Sequence, residues 1–404
     1  MASGTIEARR AHSAGRLAGA RVAIVLKWPN LGGAERQALL LARHLVEVEG
    51  ARVEVQALTD ADGTAAALFR ESGIDWRSRR TRWRGSRPRT LARLVRIAAV
   101  LRESRPDVLL PYCEVPNVVC GLVWRFAGAT TCVWSQRDVL PFTLDEGLVR
   151  RAIRSTPILV SNSSHGAEYL VSQWSAQRDR IHVVPNGVAL PPAMAGRAVW
   201  RARLRVHDGD IVVCSLAHFG DRKDLESLLK AWHVALAHLD AGGSTGVLVF
   251  AGRPEHRGDA LEELARELRI ESRVCFLGDV DDVAGLLSAS DAGVLSSPTE
   301  GCPNAVLEYM AAGLAIVGTD VPGIREALGD SGAEYLVPVG DVGALGAALA
   351  EVSLDQELRS RLGVRNRERQ RACFGIDRML QDTVKLIAGG LAGVERTHES
   401  LSVD

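Results

Sequence analysis

From residue 21 onward, short apolar runs alternate with longer stretches of helical period. The runs at 21–27, 52–57, 107–111, 130–135, 157–161 and 181–184 read as buried strands, and a second series follows at 211–217, 246–251, 273–276, 291–295 and 315–318. Strands that alternate with helices argue for parallel sheets covered by helices. Between the two series, V-A-L-P-P-A-M-A-G-R at 188–197 carries two prolines and small residues, the chemistry of a linker. The pattern predicts an α/β fold of two Rossmann-like domains facing each other across a cleft. The first domain spans 21–188 and the second 198–375, with 189–197 between them. Residues 1–20 read as a disordered tail, and 376–404 as a final helix followed by a tail. Ligands of such sheets bind beyond the carboxyl ends of the strands.

One strand end carries most of the chemistry. Residues 291–310 read D-A-G-V-L-S-S-P-T-E-G-C-P-N-A-V-L-E-Y-M. Asp291 to Leu295 close a strand, Ser296 to Gly301 form a polar loop, and Pro303 is expected at the first position of a helix, where its missing N–H costs nothing. The amides of Asn304 and Ala305 then lack partners within the helix and sit at the positive end of its dipole, which suits a phosphate. Glu300 lies in the loop and Glu308 roughly 7–8 Å further along the helix axis. One carboxylate can therefore meet one end of a phosphate-containing ligand and the other its far end. Two surface charges on a solvated helix would show the same spacing without the strand, Gly301 and Pro303 around them.

The spacing Glu300-x7-Glu308, inside T-E-G-C-P-N-A-V-L-E-Y-M-A-A-G, resembles a signature of the retaining glycosyltransferases of family four, which have the GT-B fold of two Rossmann-like domains. The resemblance covers residues 21–390 and is most specific over 211–327. It implies that Glu300 contacts hydroxyls of a donor sugar, that Glu308 contacts the nucleotide ribose, and that the backbone from Gly301 through Pro303 and Asn304 to Ala305 holds the pyrophosphate. In I-V-V-C-S-L-A-H-F-G-D-R-K-D, residues 211–224, the family has Gly-Arg and then a Lys five residues after the Arg. Lys223 matches, whereas Ala217 and His218 stand where Gly and Arg are usual. Lys223 and His218 would neutralise the diphosphate, although an imidazole is only partly charged at neutral pH unless an anion favours its charged form. Arg253, in A-G-R-P, would reach the diphosphate or base, and Gly278 and Val280, in F-L-G-D-V, would offer backbone groups to the base. Gly32 and Gly33 resemble the family's N-terminal glycine-rich loop, with Glu35 and Arg36 either part of it or surface charges of the first helical turn. Arg137 and Asp138, in W-S-Q-R-D-V-L-P-F, would face the cleft on the acceptor side, where many relatives place a His; a salt-bridged loop reads the same way. Pro185-Asn186-Gly187 has the chemistry of a turn and is expected to matter for hinge geometry more than for contacts. Asp320 and Gly323, in T-D-V-P-G-I-R-E, look structural, and the final helix would cross back to the first domain.

The implied reaction is transfer of a sugar from a nucleoside diphosphate to a hydroxyl, with retention and without a metal or other cofactor. The donor is expected to be a UDP-sugar rather than a GDP-sugar, and the acceptor a sugar or lipid-linked sugar. The E-G-C-P-N wording points to transferases of N-acetylhexosamines or hexoses in surface-polysaccharide or glycolipid assembly. The alternative is a non-catalytic sugar-nucleotide-binding partner protein of the same fold, a reading that the His218 replacement slightly favours and that the intact Glu300, Glu308, Lys223 and glycine pair oppose.

Charge adds a further expectation. Net charge is zero, but residues 1–188 hold 27 Lys and Arg against 17 Asp and Glu, and residues 189–404 hold 22 against 32. The first half should therefore face an anionic surface. Arg79, Arg80, Arg82 and Arg84 crowd together beside Trp76 and Trp83, ahead of a helix in which arginines and apolar residues take different faces. Such a stretch suits the headgroup zone of an anionic membrane; a solvated loop is the plainer reading, since all but four of the 49 basic residues are Arg. Nucleic acid is a poorer partner, because the patch is local and the second half is acidic. Seven cysteines without a C-x-x-C fit a reducing compartment and indicate neither zinc nor a disulfide framework. Residues 1–20 lack the apolar run of a signal peptide, and no stretch has the ~18–20 apolar residues of a membrane span. The expected location is cytoplasmic, peripheral at the inner face of the plasma membrane.

Overall fold

A computed structural model describes residues 15–27, 29–59, 63–78, 87–139 and 142–399. The chain forms two compact units, one running to Pro185 and resuming at Asp377, the other spanning Asn186–Ile376. In the first unit the order is β1 (Arg21–Leu26), α1 (Gly33–Glu47), β2 (Arg52–Ala57), α2 (Thr64–Glu71), β3 (Asp75–Ser78), α3 (Arg87–Glu103), β4 (Val108–Pro111), α4 (Glu114–Val123), β5 (Thr131–Gln136), α5 (Glu146–Ser155), β6 (Ile158–Ser161), α6 (Ser164–Trp174) and β7 (Ile181–Val183). In the second it is α7 (Arg197–Arg203), β8 (Ile211–Leu216), α8 (Leu225–Ala241), β9 (Gly246–Ala251), α9 (Gly258–Glu267), β10 (Val274–Phe276), α10 (Val283–Ala289), β11 (Ala292–Leu295), α11 (Asn304–Ala312), β12 (Ala315–Thr319), α12 (Pro322–Leu328), β13 (Leu336–Val337), α13 (Val342–Leu354) and α14 (Gln356–Cys373). The last helix, α15 (Ile376–Glu399), belongs to the first unit from Asp377 on. Its Gly390 lies against Thr131 and Ile158, at the starts of β5 and β6.

Every strand pair in both sheets is parallel. The first sheet is ordered β3-β2-β1-β4-β5-β6-β7 and the second β10-β9-β8-β11-β12-β13. Strand order thus reverses between β1 and β4 in one unit and between β8 and β11 in the other. At such a reversal the flanking helices part to opposite faces and open a crevice at the strands' carboxyl ends. Successive residues of one strand serve two cores, as a period of two requires. Val213 packs with Leu228 and Trp232 of α8, whereas Val212 and Cys214 pack with Leu286 of α10 and Val306 of α11. Five helices start where the sequence supplies a side-chain acceptor. Asp145, Ser163, Asp282, Asp341 and Asp355 each accept the amide three residues on, opening α5, α6, α10, α13 and α14. Arginines of α14 close two others: Arg367 donates to the Ala312 carbonyl at the end of α11, and Arg369 to those of Glu326 and Ala327 at the end of α12.

Several sequence expectations change here. Residues 189–197 belong to the second unit, because the Met194 and Ala195 amides donate to the Asp282 carboxylate at 3.0 and 2.9 Å. Strands β3 and β13 were not expected. Trp76, expected to face a membrane, is buried in β3: its ring lies 5.5 Å from that of Phe69, and its Nε1–H donates to Ser78 Oγ at 3.1 Å. Arg79, Arg80, Arg82, Trp83 and Arg84 lie outside the described residues.

Candidate functional site

In the second unit, the loops after β8, β9 and β10 are stitched together by backbone bonds. Ala217 N–H donates to Ala251 O at 3.0 Å, Phe219 N–H to Arg253 O at 2.8 Å, and Gly252 N–H to Gly278 O at 2.7 Å. Gly252 has φ +147°, and a Cβ there would meet the Ala217 carbonyl at 2.1 Å, so only glycine permits this approach. His218, Arg253 and Gly278 are thereby brought together at the carboxyl end of the sheet. Gly278, at φ +68°, presents an open Cα, whereas its carbonyl is already taken by Gly252. Val280 turns its side chain into the apolar cluster with Leu277 and Val283, leaving only its backbone for a ligand.

After His218 the chain makes a 3-10 turn, Asp221–Lys223, and Asp224 takes a left-handed conformation at φ 46° before α8. Ser296, buried at the end of β11, donates to the carbonyls of Lys223 (2.8 Å) and Asp224 (3.1 Å) and so pins this turn. The turn aims Lys223 at the next loop, where Nζ meets Glu300 Oε1 at 2.5 Å. The two side chains are 19% and 14% exposed, which keeps their attraction from being screened by water. The pair joins the loops of β8 and β11, the strands that flank the reversal.

His218 stands beside Lys223, Arg222 and Arg253, with Glu255 opposing them. Burial, and then these cations, hold its pKa below the usual imidazole value. At neutral pH it is therefore a neutral donor or acceptor until an anion arrives.

Pro303 lies just outside α11, at φ −74° and ψ 113°, rather than at its first helical position, and no side chain caps the helix. Within α11, Glu308 is half-buried and close enough to Cys214 to add to the burial that pushes that thiol up to about 12. Tyr309 anchors the helix: its hydroxyl accepts from Leu216 N–H at 2.6 Å, and Gly293 leaves room for its ring against β11. Two contacts hold the preceding loop. Asn186 Nδ2 donates to the Cys302 carbonyl at 2.9 Å and to Asn304 Oδ1 at 2.8 Å. Gly323 packs directly on the carbonyls of Glu300 and Gly301. Asn186 is thus a contact residue rather than only a turn former.

In the first unit, Gly32 is the N-cap of α1 and donates its N–H to Glu35 Oε2 at 3.1 Å, which gives Glu35 a capping role; Gly33 opens the helix. Arg137 follows β5, with its guanidinium 4.7 Å from the centre of the Tyr112 ring and Nε donating to Ser135 Oγ at 2.8 Å. The carbonyls of Arg137 and Asp138 accept from Asn162 and Gln136, so a half-exposed cation is held on a fixed loop.

The family model for glycosyl transferases group 1 matches residues 196–369, and that for glycosyltransferase family 4 matches residues 31–190. The D-inositol 3-phosphate glycosyltransferase of Nocardia farcinica (strain IFM 10152) is 30% identical over 222 residues, 54% of this chain; the match spans about half (49%) of that relative's own length. The lipopolysaccharide core biosynthesis glycosyltransferase LpsE of Rhizobium meliloti (strain 1021) is 30% identical over 294 residues, 73% of this chain and 79% of the relative. The crystal structure of Anabaena Alr3699/HepE in complex with UDP-glucose superposes with a TM-score of 0.77 at 17% identity, covering 92% of this chain and 99% of that one. That likeness shows the fold, the two Rossmann-like domains of the GT-B class. With both units matched by family models, the chain belongs to the group 1 glycosyltransferases of family 4.

Proposed function

We propose that the protein transfers a sugar from a nucleoside-diphosphate donor, a UDP-sugar, to a hydroxyl of a sugar or lipid-linked sugar, with retention, in the assembly of a surface polysaccharide or glycolipid. The observation that carries the reading is the Lys223–Glu300 pair, set between the carboxyl ends of β8 and β11 and beside a helix start that no side chain caps. The names of two similar proteins support it: HepE is described in complex with UDP-glucose, and LpsE as acting in lipopolysaccharide core biosynthesis.

On this reading the diphosphate lies against Lys223, His218, Arg253 and the first amides of α11, Glu300 receives the sugar hydroxyls, and Glu308 the ribose. A two-step retaining mechanism needs a carboxylate nucleophile beneath the sugar. Glu300, held by Lys223, serves the hydroxyls instead. The acceptor oxygen attacks the anomeric carbon on the face that the diphosphate leaves, and the departing phosphate oxygen takes the hydroxyl proton. The protein's part is to stabilise the charge that develops on the leaving diphosphate. One observation favours a non-catalytic sugar-nucleotide binder: the neutral His218 in place of a permanent cation. A thermal-shift screen of sugar nucleotides tests the donor class. A ligand at 100 times its dissociation constant adds about 2.7 kcal/mol, so UDP-sugars should raise the midpoint by several degrees; a panel that moves nothing would overturn the reading.

Contact with an anionic membrane is the second part of the proposal. In α3, Leu91 and Val95 are 67% and 63% exposed and lie one helical turn apart, with exposed Arg96 beside them. An apolar ridge among arginines fits a headgroup surface. Among the described residues no helix is long and apolar enough to cross a membrane.

A further inference from the structure

We propose that Asn186 and Gly323 are positioning residues for the anion loop at 300–304: Gly323, packed on the Glu300 and Gly301 carbonyls, turns the N–H groups of Gly301 and Cys302 toward the donor diphosphate, and Asn186 fixes the Cys302 carbonyl and the Asn304 side chain at the start of α11. The inference rests on reading the start of α11 as the diphosphate site. Asn186 lies far from this loop in sequence, yet its side chain is buried against it. The Cys302 carbonyl can only accept, so the end of the Asn186 amide that faces it must be the NH2. Both of its hydrogens are committed there, one to Cys302 O at 2.9 Å and one to Asn304 Oδ1 at 2.8 Å. That fixes Asn304 in turn. Its oxygen is the end that faces Asn186.

Gly323 holds the other end of the loop. A Cβ at this position would lie 2.3 Å from Gly301 O and 2.4 Å from Glu300 O. The described chain has no cis peptide bond. In a trans peptide each N–H points opposite to the carbonyl it follows. Carbonyls turned toward Gly323 therefore send the N–H groups of Gly301 and Cys302 away from it. Two residues remote in sequence, neither of them a ligand contact, thus fix the loop: Gly323 sets the direction of two N–H groups, and Asn186 holds the Cys302 carbonyl and the Asn304 side chain on either side of Pro303, which carries no N–H.

The test is calorimetric titration of UDP and uridine, with GDP and guanosine in parallel, into wild type, Asn186→Asp, Asn186→Ala, Gly323→Ala and Asn304→Ala. The carboxylate of Asn186→Asp would face two oxygens. Diphosphate affinity should fall about tenfold, roughly the worth of one lost hydrogen bond with its partner left buried, while nucleoside affinity stays within about twofold. Gly323→Ala should show the same split from an independent steric cause, so the inference survives if the Asn186 variants do not fold. Because the two asparagines act through one bond, Asn186→Ala combined with Asn304→Ala should lose less than the sum of the single losses. Variants that bind the diphosphate as wild type does, or that lose diphosphate and nucleoside equally, would overturn the inference. Wild type that binds neither diphosphate would overturn the donor-site reading itself, and this inference with it.

Discussion

Lys223 and Glu300 are 77 residues apart and meet at 2.5 Å, and the proposed donor site is built on that contact. Both were legible in the sequence, because a lysine in a lysine-poor chain and two glutamates at fixed spacing are local signals. Asn186, Ser296 and Tyr309 were not. Their partners lie 118, 73 and 93 residues away, and in sequence a side chain with a polar atom looks the same whether it bonds solvent or a distant element. Glu35 was ambiguous until its bond to the Gly32 amide showed it to be a cap. His218 carries a prediction at this scale. Its pKa is held down first by burial and then by the cations around it, and a bound diphosphate favours the imidazolium. Affinity for a sugar nucleotide should then be greatest below the depressed value and fall as pH rises toward the raised value of the complex. The donor's esterified diphosphate keeps its charge over this range, so the slope belongs to the protein. His218→Arg should strengthen binding and flatten the slope, which begins below the ordinary imidazole value of about 6.5 and ends at the higher value of the complex. Titrations at several pH values check this, and an unchanged slope in the variant would remove His218 from the phosphate site.

Among the elements, the long central strands were readable because each buries a run of apolar residues on both faces. Strand β3 was missed because D-W-R-S buries only Trp76 fully, and β13 because it is two residues long. The same misreading put Trp76 among membrane-facing residues: neighbouring arginines drew the eye to charge, whereas the period of two turns its ring inward. The proline-rich stretch after 188 was read as a connection because its composition is that of a loop. It is instead fastened to α10 through Asp282, which accepts from Trp200 Nε1, Met194 N, Ala195 N and Gly285 N. These bonds, the Trp200 indole foremost, hold its carboxyl down to about 2. A depressed folded pKa stabilises the fold above the unfolded value, near 3.9, and that stabilisation is lost as pH falls through the folded value. The second unit should therefore lose part of its stability between about pH 4 and pH 2. Asp282→Asn should lower its unfolding temperature by several degrees at neutral pH and flatten the loss in acid. Circular dichroism melts at graded pH decide the matter, and a variant that melts like wild type at neutral pH would mean these bonds contribute little.

At the scale of the whole molecule, the two-unit α/β architecture was legible from the rhythm of strands and helices, but the boundary was not. The chain passes between units after Pro185, a few residues before the composition changes. The charge difference between the halves, ten net positive against ten net negative from the counts of 27 against 17 and 22 against 32, motivates the membrane proposal. Such attraction is screened within about 8 Å at physiological salt. Sedimentation with acidic vesicles should thus fall steeply with added salt and be absent on neutral vesicles. Changing Arg79, Arg80, Arg82 and Arg84 to Ser, or Leu91 and Val95 to Ser, should reduce it at low salt without changing donor affinity. Equal sedimentation of wild type and variants would favour a soluble acceptor. The central claim is that the Lys223–Glu300 site performs transfer chemistry and not only binding. Its most direct test is release of nucleoside diphosphate from a panel of UDP- and GDP-sugars, measured with the full chain in wild-type and Glu300→Gln forms. Wild type should release UDP measurably, and the variant should lose roughly a hundredfold or more of that rate, the scale of one missing transition-state contact, with donor still bound. Donor that binds wild type tightly with no release above buffer, or release that Glu300→Gln leaves unchanged, would contradict it.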